Sequence, residues 1–90
     1  MVQLEILSGK PPCPGCAALI ALAQRVAARY SPDELNLTIY EGEAALPLFE
    51  RYRVGCVPAA VINGVIRIEG MCPSEATLNN ALREGGLCLR

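Results

Sequence analysis

Val2-Gln3-Leu4-Glu5-Ile6-Leu7-Ser8-Gly9-Lys10-Pro11-Pro12-Cys13-Pro14-Gly15-Cys16-Ala17 is the stretch on which the fold turns. Val2 to Leu7 alternates enough to read as a strand. Ser8 to Pro12 is a loop by composition. From Ala17 to Tyr30 the chain is strongly helix-forming, and Pro14 suits the first helical position with Cys13 as its N-cap. Cys13-Pro14-Gly15-Cys16 therefore stands where a strand gives way to a helix. A thiol at that point meets unpaired backbone N–H groups and the positive end of the helix dipole. Both favour the thiolate, which is the reactive form of cysteine. A second thiol one turn later can close a disulfide with the first. The spacing, in this context, points to thiol–disulfide redox chemistry.

Working outward, Leu19, Leu22, Ala23, Val26 and Tyr30 fall on one helical face, with Ile20 and Ala27 beside it. Gln24, Arg25 and Arg29 mark the wet side. Ser31-Pro32-Asp33 ends the helix, and Leu35 to Tyr40 alternates as a second strand. With a helix between them, the two strands form a right-handed parallel β-α-β unit. Glu41-Gly42-Glu43 reads as a loop and Ala45 to Arg53 as a short helix with Pro47 near its start. Ala59 to Ile62 and Val65 to Ile68 flank Asn63-Gly64, a favoured type I′ hairpin turn. A last helix spans about Ser74 to Glu84, with Ala76, Leu78, Ala81 and Leu82 facing inward; Gly85-Gly86 stops it, and Leu87 to Arg90 is an unassigned tail. The order is β-α-β-α-β-β-α. It predicts an α/β fold in which helices cover both faces of a four-stranded mixed sheet, a three-layer α/β/α sandwich.

Ninety residues make one domain, 1–90, and an apolar fraction of 52% is ample for its core. The longest apolar run, Cys16 to Ala23, is far short of the roughly 18 residues that span a bilayer. Met1 to Glu5 shows no basic region leading into an apolar segment, so no signal peptide is expected and the chain is expected to be cytoplasmic. A net charge of −1 points to neither nucleic acid nor membrane as a partner. Histidine is absent, which excludes Cys–His catalysis and any Cys/His zinc finger. The five cysteines (Cys13, Cys16, Cys56, Cys72 and Cys88) are odd in number and too sparse for a disulfide scaffold. A zinc site would need a second closely spaced pair to join Cys13 and Cys16, and none exists.

Cys13-Pro14-Gly15-Cys16 at a strand-to-helix junction, Tyr52-Arg53-Val54-Gly55-Cys56-Val57-Pro58, Val61-Ile62-Asn63-Gly64 and Ile68-Glu69-Gly70 together resemble the thioredoxin superfamily in its small glutaredoxin-like form. The resemblance covers all but the tail. It implies a cis peptide bond before Pro58, with Pro58 lying against the cysteine pair where a metal would otherwise approach. It also implies that the Val57 backbone docks an extended substrate segment as an added strand. Cys13, preceding the helix and more exposed, is expected to attack. Cys16, within the first turn and more buried, is expected to resolve the mixed disulfide. Lys10 matches a lysine of many glutaredoxins and is expected either to add positive charge near the thiolate and substrate or to be a solvated loop residue. The expected activity is that of a thiol–disulfide oxidoreductase. It needs no cofactor beyond a redox-active Cys13–Cys16 disulfide. Its partners would be protein or low-molecular-weight disulfides and a reductase or thiol donor.

Three positions depart from the family pattern. Pro12 stands where thioredoxins carry tryptophan. Leu7 stands in place of their buried aspartate, with Glu5 poorly placed to substitute. Met71-Cys72-Pro73-Ser74 replaces the polar stretch with which glutaredoxins grip glutathione. The resemblance puts Cys56 on the loop facing the pair and Cys72 near the start of the last helix, on the same rim. Three readings stand for these accessory thiols: a redox relay or dimer-forming disulfide, a soft thiolate metal site of Cys13, Cys16, Cys56 and Cys72, or no role.

Overall fold

The computed structural model describes residues 1–88. Four strands, β1 (Val2–Ser8), β2 (Leu35–Glu41), β3 (Ala59–Ile62) and β4 (Ile66–Glu69), form one sheet in the order β2-β1-β3-β4. β1 runs parallel to β2, with Leu4 opposite Leu37, and antiparallel to β3, with Ile6 opposite Ala60. β3 and β4 are antiparallel, with Val61 opposite Arg67. Three α-helices complete the chain: α1 (Pro14–Ala27), α2 (Leu46–Tyr52) and α3 (Glu75–Glu84).

The alternation of β1 divides its side chains between two cores. Val2, Leu4 and Ile6 pack with Leu19, Leu22, Ala23 and Val26 of α1 and with Leu78, Ala81 and Leu82 of α3. On the opposite face, Leu7, Ala59 and Val61 pack with Ala45, Leu48 and Val54, under α2. The result is the expected three-layer sandwich with a mixed sheet. Glu75 ties the two helices of the larger layer together, pairing with Arg29 at 3.2 Å and Arg25 at 3.7 Å.

Local boundaries differ from the sequence expectation where tertiary contacts compete with propensity. α1 ends at Ala27, and the segment to Tyr30 tightens into i→i−3 bonds from Arg29 to Val26 and from Tyr30 to Ala27. The segment expected as a loop and one helix is a 3₁₀ turn (Gly42–Ala45) followed by α2. Ala76 is exposed, so the inward face of α3 is made by Leu78, Ala81 and Leu82 alone. Leu87, in the unassigned tail, is buried at 5% exposure and donates its amide to Leu82 O; the tail beyond 88 lies outside the described residues.

The Asn63-Gly64 turn is as the sequence predicts, but β4 begins at Ile66 rather than Val65, Ile62 pairs with Ile66, and Val65 is left exposed in the connection. Asn63 and Gly64 both take positive φ, 54° and 71°, the signature of a type I′ turn. Asn63 also links three elements. Its Oδ1 accepts the Gln3 amide at 2.9 Å, and its Nδ2 donates to Gly85 O at 2.9 Å. The turn thereby joins β1 to the end of α3.

Candidate active site

Cys13 is the N-cap of α1, with an extended backbone (φ −69°, ψ 167°) and Pro14 as the first helical residue. Its Sγ accepts the Cys16 amide at 3.1 Å, and its carbonyl accepts the Ala17 amide at 2.8 Å. The cap thus uses sulfur where serine or aspartate would place oxygen. Cys13 is half-buried, whereas Cys16 has no exposed surface. The two sulfurs are free thiols 2.6 Å apart, with Cys13 donating to Cys16.

Burial pushes the Cys16 thiol up. Hydrogen bonds from the Cys13 thiol, the Gly9 and Cys13 backbone and the Ser8 side chain together outweigh it, so the Cys16 thiol lies below its ordinary value of 9.0. Ser8 is a functional neighbour that composition hides. Written among loop-forming residues, it is the last residue of β1 and 1% exposed. For a thiol whose folded value is lowered, the stability it contributes is fully present above the unfolded value and lost as pH falls through the folded one. The reduced protein is therefore expected to gain stability as pH rises towards 9.0, and Cys16→Ala to lack that gain. Denaturant titrations at pH 6 and pH 9 under reducing conditions check this.

Pro58 faces the pair. A Cβ on Gly15 would stand 3.4 Å from both Cδ and Cγ of Pro58, so the proline ring lies against the turn between the two cysteines. The Val57–Pro58 peptide is cis. The Lys10–Pro11 peptide is also cis. Pro58 is buried, Val57 half-buried, and Gly55 and Cys56 exposed. The Gly70 amide donates to Pro58 O at 2.9 Å and fixes the far side of this loop.

Lys10 is exposed and packs its side chain along Gly42. With Glu41, Gly42, Glu43 and Ala44 it lines an open cleft of about 540 Å³ beside the 3₁₀ turn. Cys56 lies over Gly70, its Sγ 3.2 Å from where a Cβ would stand. Cys72 turns instead towards the core beneath α1 and α3, with its thiol 3.5 Å from Pro73 O. Among the described residues no three histidine, cysteine or acidic side chains converge closely enough to hold a metal. Of the four thiols of the alternative metal site, Cys13 and Cys16 lie 2.6 Å apart while Cys72 turns to the core, so the four do not converge. Cys88 is exposed.

The thioredoxin-domain family model matches residues 2–83 of the chain. The chain belongs to the thioredoxin superfamily. Two solved structures share the thioredoxin-like fold at low identity. One is described only as a malarial protein, at 14% identity and a TM-score of 0.76, with 97% of this chain and 99% of that one covered. The other is an uncharacterized thioredoxin-like protein from Clostridium perfringens, at 17% identity and a TM-score of 0.76, with 96% and 71% covered. No curated protein matches the chain. β1, which has a neighbour on each side, ends at Ser8, and the cysteine tetrapeptide opens α1 after the loop 9–12. Among the described residues no helix is long and apolar enough to cross a membrane.

Proposed function

We propose that this thioredoxin-superfamily chain is a thiol–disulfide oxidoreductase acting through a mixed disulfide. The observation that carries the reading is the pairing of unequal sulfurs: Cys13 half-buried at a helix start, and Cys16 fully buried 2.6 Å behind it. An incoming disulfide can reach only the first.

In the reductive direction the Cys13 thiolate attacks one sulfur of the substrate disulfide. The substrate S–S bond breaks, a Cys13–substrate disulfide forms, and the departing sulfur takes up a proton. The Cys16 thiolate then attacks Cys13 Sγ, forming the Cys13–Cys16 disulfide and releasing the second substrate thiol. Two electrons and two protons pass from protein to substrate, so the chemistry uses no bound cofactor. The Gly9 backbone and the Ser8 side chain, which favour the Cys16 thiolate, remain in place after Cys13 has entered the mixed disulfide. The oxidised protein is returned to the dithiol by an external thiol donor or reductase. The Val57 backbone beside Pro58 is the edge on which an extended substrate segment docks. A reducing compartment such as the cytoplasm fits the unpaired Cys56, Cys72 and Cys88.

Cys16→Ser tests this directly. The variant is expected to accumulate mixed disulfides through Cys13, separable on non-reducing gels and released by dithiothreitol. If it traps no partner in cells and forms no adduct with a model protein disulfide, the exchange mechanism is wrong.

A further inference from the structure

β4 is an edge strand, and its side chains divide cleanly. Ile66 and Ile68 pack on the α1/α3 core, while Arg67 and Glu69 lie opposite Val61 and Ala59 on the α2 face. Both charged residues reach the segment that joins α2 to Pro58. Arg67 Nη1 donates to Tyr52 O at 2.8 Å and to Arg53 O at 3.3 Å. The guanidinium thereby caps the C-terminus of α2, where Arg53 adopts a left-handed φ of 55° and the helix dipole presents negative charge. Two residues along β4, Glu69 Oε1 accepts the Gly55 amide at 3.1 Å.

We propose that Arg67 and Glu69 are positioning residues that strap the 53–58 loop to β4 and so hold the Val57 edge in register for polypeptide substrates. The proposal rests on the oxidoreductase reading above and assigns a specificity device to its docking site. The loop passes from an exposed turn (Gly55, Cys56) to a buried proline, and Pro58 meets the cysteine turn through Gly15. Downstream, the Gly70 amide already fixes Pro58 O. Upstream, among the described residues, Arg67 and Glu69 supply side-chain bonds to the loop at Arg53 O and the Gly55 amide, beside the backbone bond from the Val54 amide to Phe49 O. Without them the substrate edge would have to be ordered at the moment of binding, and that entropic cost falls on extended peptide substrates. A small disulfide needs only access to Cys13 and is indifferent to the edge.

The test reads single-turnover oxidation of the reduced protein by two probes, insulin and bis(2-hydroxyethyl) disulfide. Cys13–Cys16 disulfide formation is followed by acid quench, alkylation and mass measurement. Glu69→Ala is expected to slow the reaction with insulin roughly tenfold and leave the small disulfide within about twofold. Glu69→Gln, which keeps an acceptor for the Gly55 amide, is expected to restore most of the insulin rate. Arg67→Ala breaks the strap independently and is expected to show the same split between probes. Equal slowing with both probes, no slowing with insulin, or no rescue by Glu69→Gln would each overturn the proposal. A wild-type protein that neither probe oxidises at Cys13–Cys16 would overturn the oxidoreductase reading itself and the strap's role with it. That outcome is distinct from a variant that loses no selectivity.

Discussion

Cys13→Ser is expected to abolish disulfide reduction, leaving only the uncatalysed background rate. Serine preserves the N-cap, since its hydroxyl can accept the Cys16 amide that Cys13 Sγ accepts at 3.1 Å. It therefore removes the nucleophile while sparing the helix start. An oxygen there cannot form the mixed disulfide, and Cys16 has no exposed surface from which to take over. Insulin reduction with dithiothreitol as terminal reductant measures the loss, and thermal unfolding verifies that the fold survives. Substantial residual turnover would move the attacking role to another thiol, with exposed Cys56 the first to test.

The second large effect concerns stability. Glu5 is 8% exposed on the α2 face of β1, and its Oε1 accepts the Tyr52 hydroxyl at 2.7 Å. Tyr52→Phe removes that donor and leaves a buried carboxylate oxygen without it. The expected cost is about 2–3 kcal/mol at neutral pH, since an unsatisfied buried acceptor costs more than the hydrogen bond contributed. In a chain of this size that lowers the unfolding midpoint by roughly 10–20 °C. The pH dependence has a definite sign. The Glu5 hydrogen bond, then burial, then the Glu5 charge raise the Tyr52 phenol above its ordinary 10.0, with Arg51 opposing in part. Above pH 10 the unfolded tyrosine loses its proton before the folded one does. Tyr52's contribution is therefore complete below that value and lost as pH rises through the folded one. The gap between wild type and Tyr52→Phe is expected to narrow above pH 10. Urea unfolding at pH 7 and at pH 10.5 measures both terms, and a constant gap would contradict the assignment.

Local signals carried far in this chain. The β-α-β-α-β-β-α order followed from alternation at Leu35 to Tyr40, the proline at the first position of α1 and the Asn63-Gly64 turn. Each is a backbone preference that needs no distant partner. Cys13 and Cys16 were legible for the same reason, since an N-cap and the residue three positions on are neighbours whatever surrounds them. What escaped the sequence depends on contacts between distant segments. Ser8 looks like the start of a loop until β2 pairs with the whole of β1 and carries it under the Cys16 sulfur. Ala76 is the exception, since it lies two, five and six residues from Leu78, Ala81 and Leu82, off their helical stripe, and is exposed. Cys72, which the resemblance puts on the rim of the active pair, turns its side chain to the core. Glu5, Arg67 and Glu69 read as the polar half of their strands. Their roles appear only once Tyr52 and the loop after it are laid across that face.

The most direct measurement is the order in which the thiols of the reduced protein react. Limiting iodoacetamide, followed by peptide mass mapping, is expected to modify Cys13 ahead of Cys16, and a redox titration is expected to show one two-electron couple confined to the Cys13–Cys16 pair. Modification of Cys16 first, or an oxidised form that pairs either cysteine with Cys56, Cys72 or Cys88, would contradict the account.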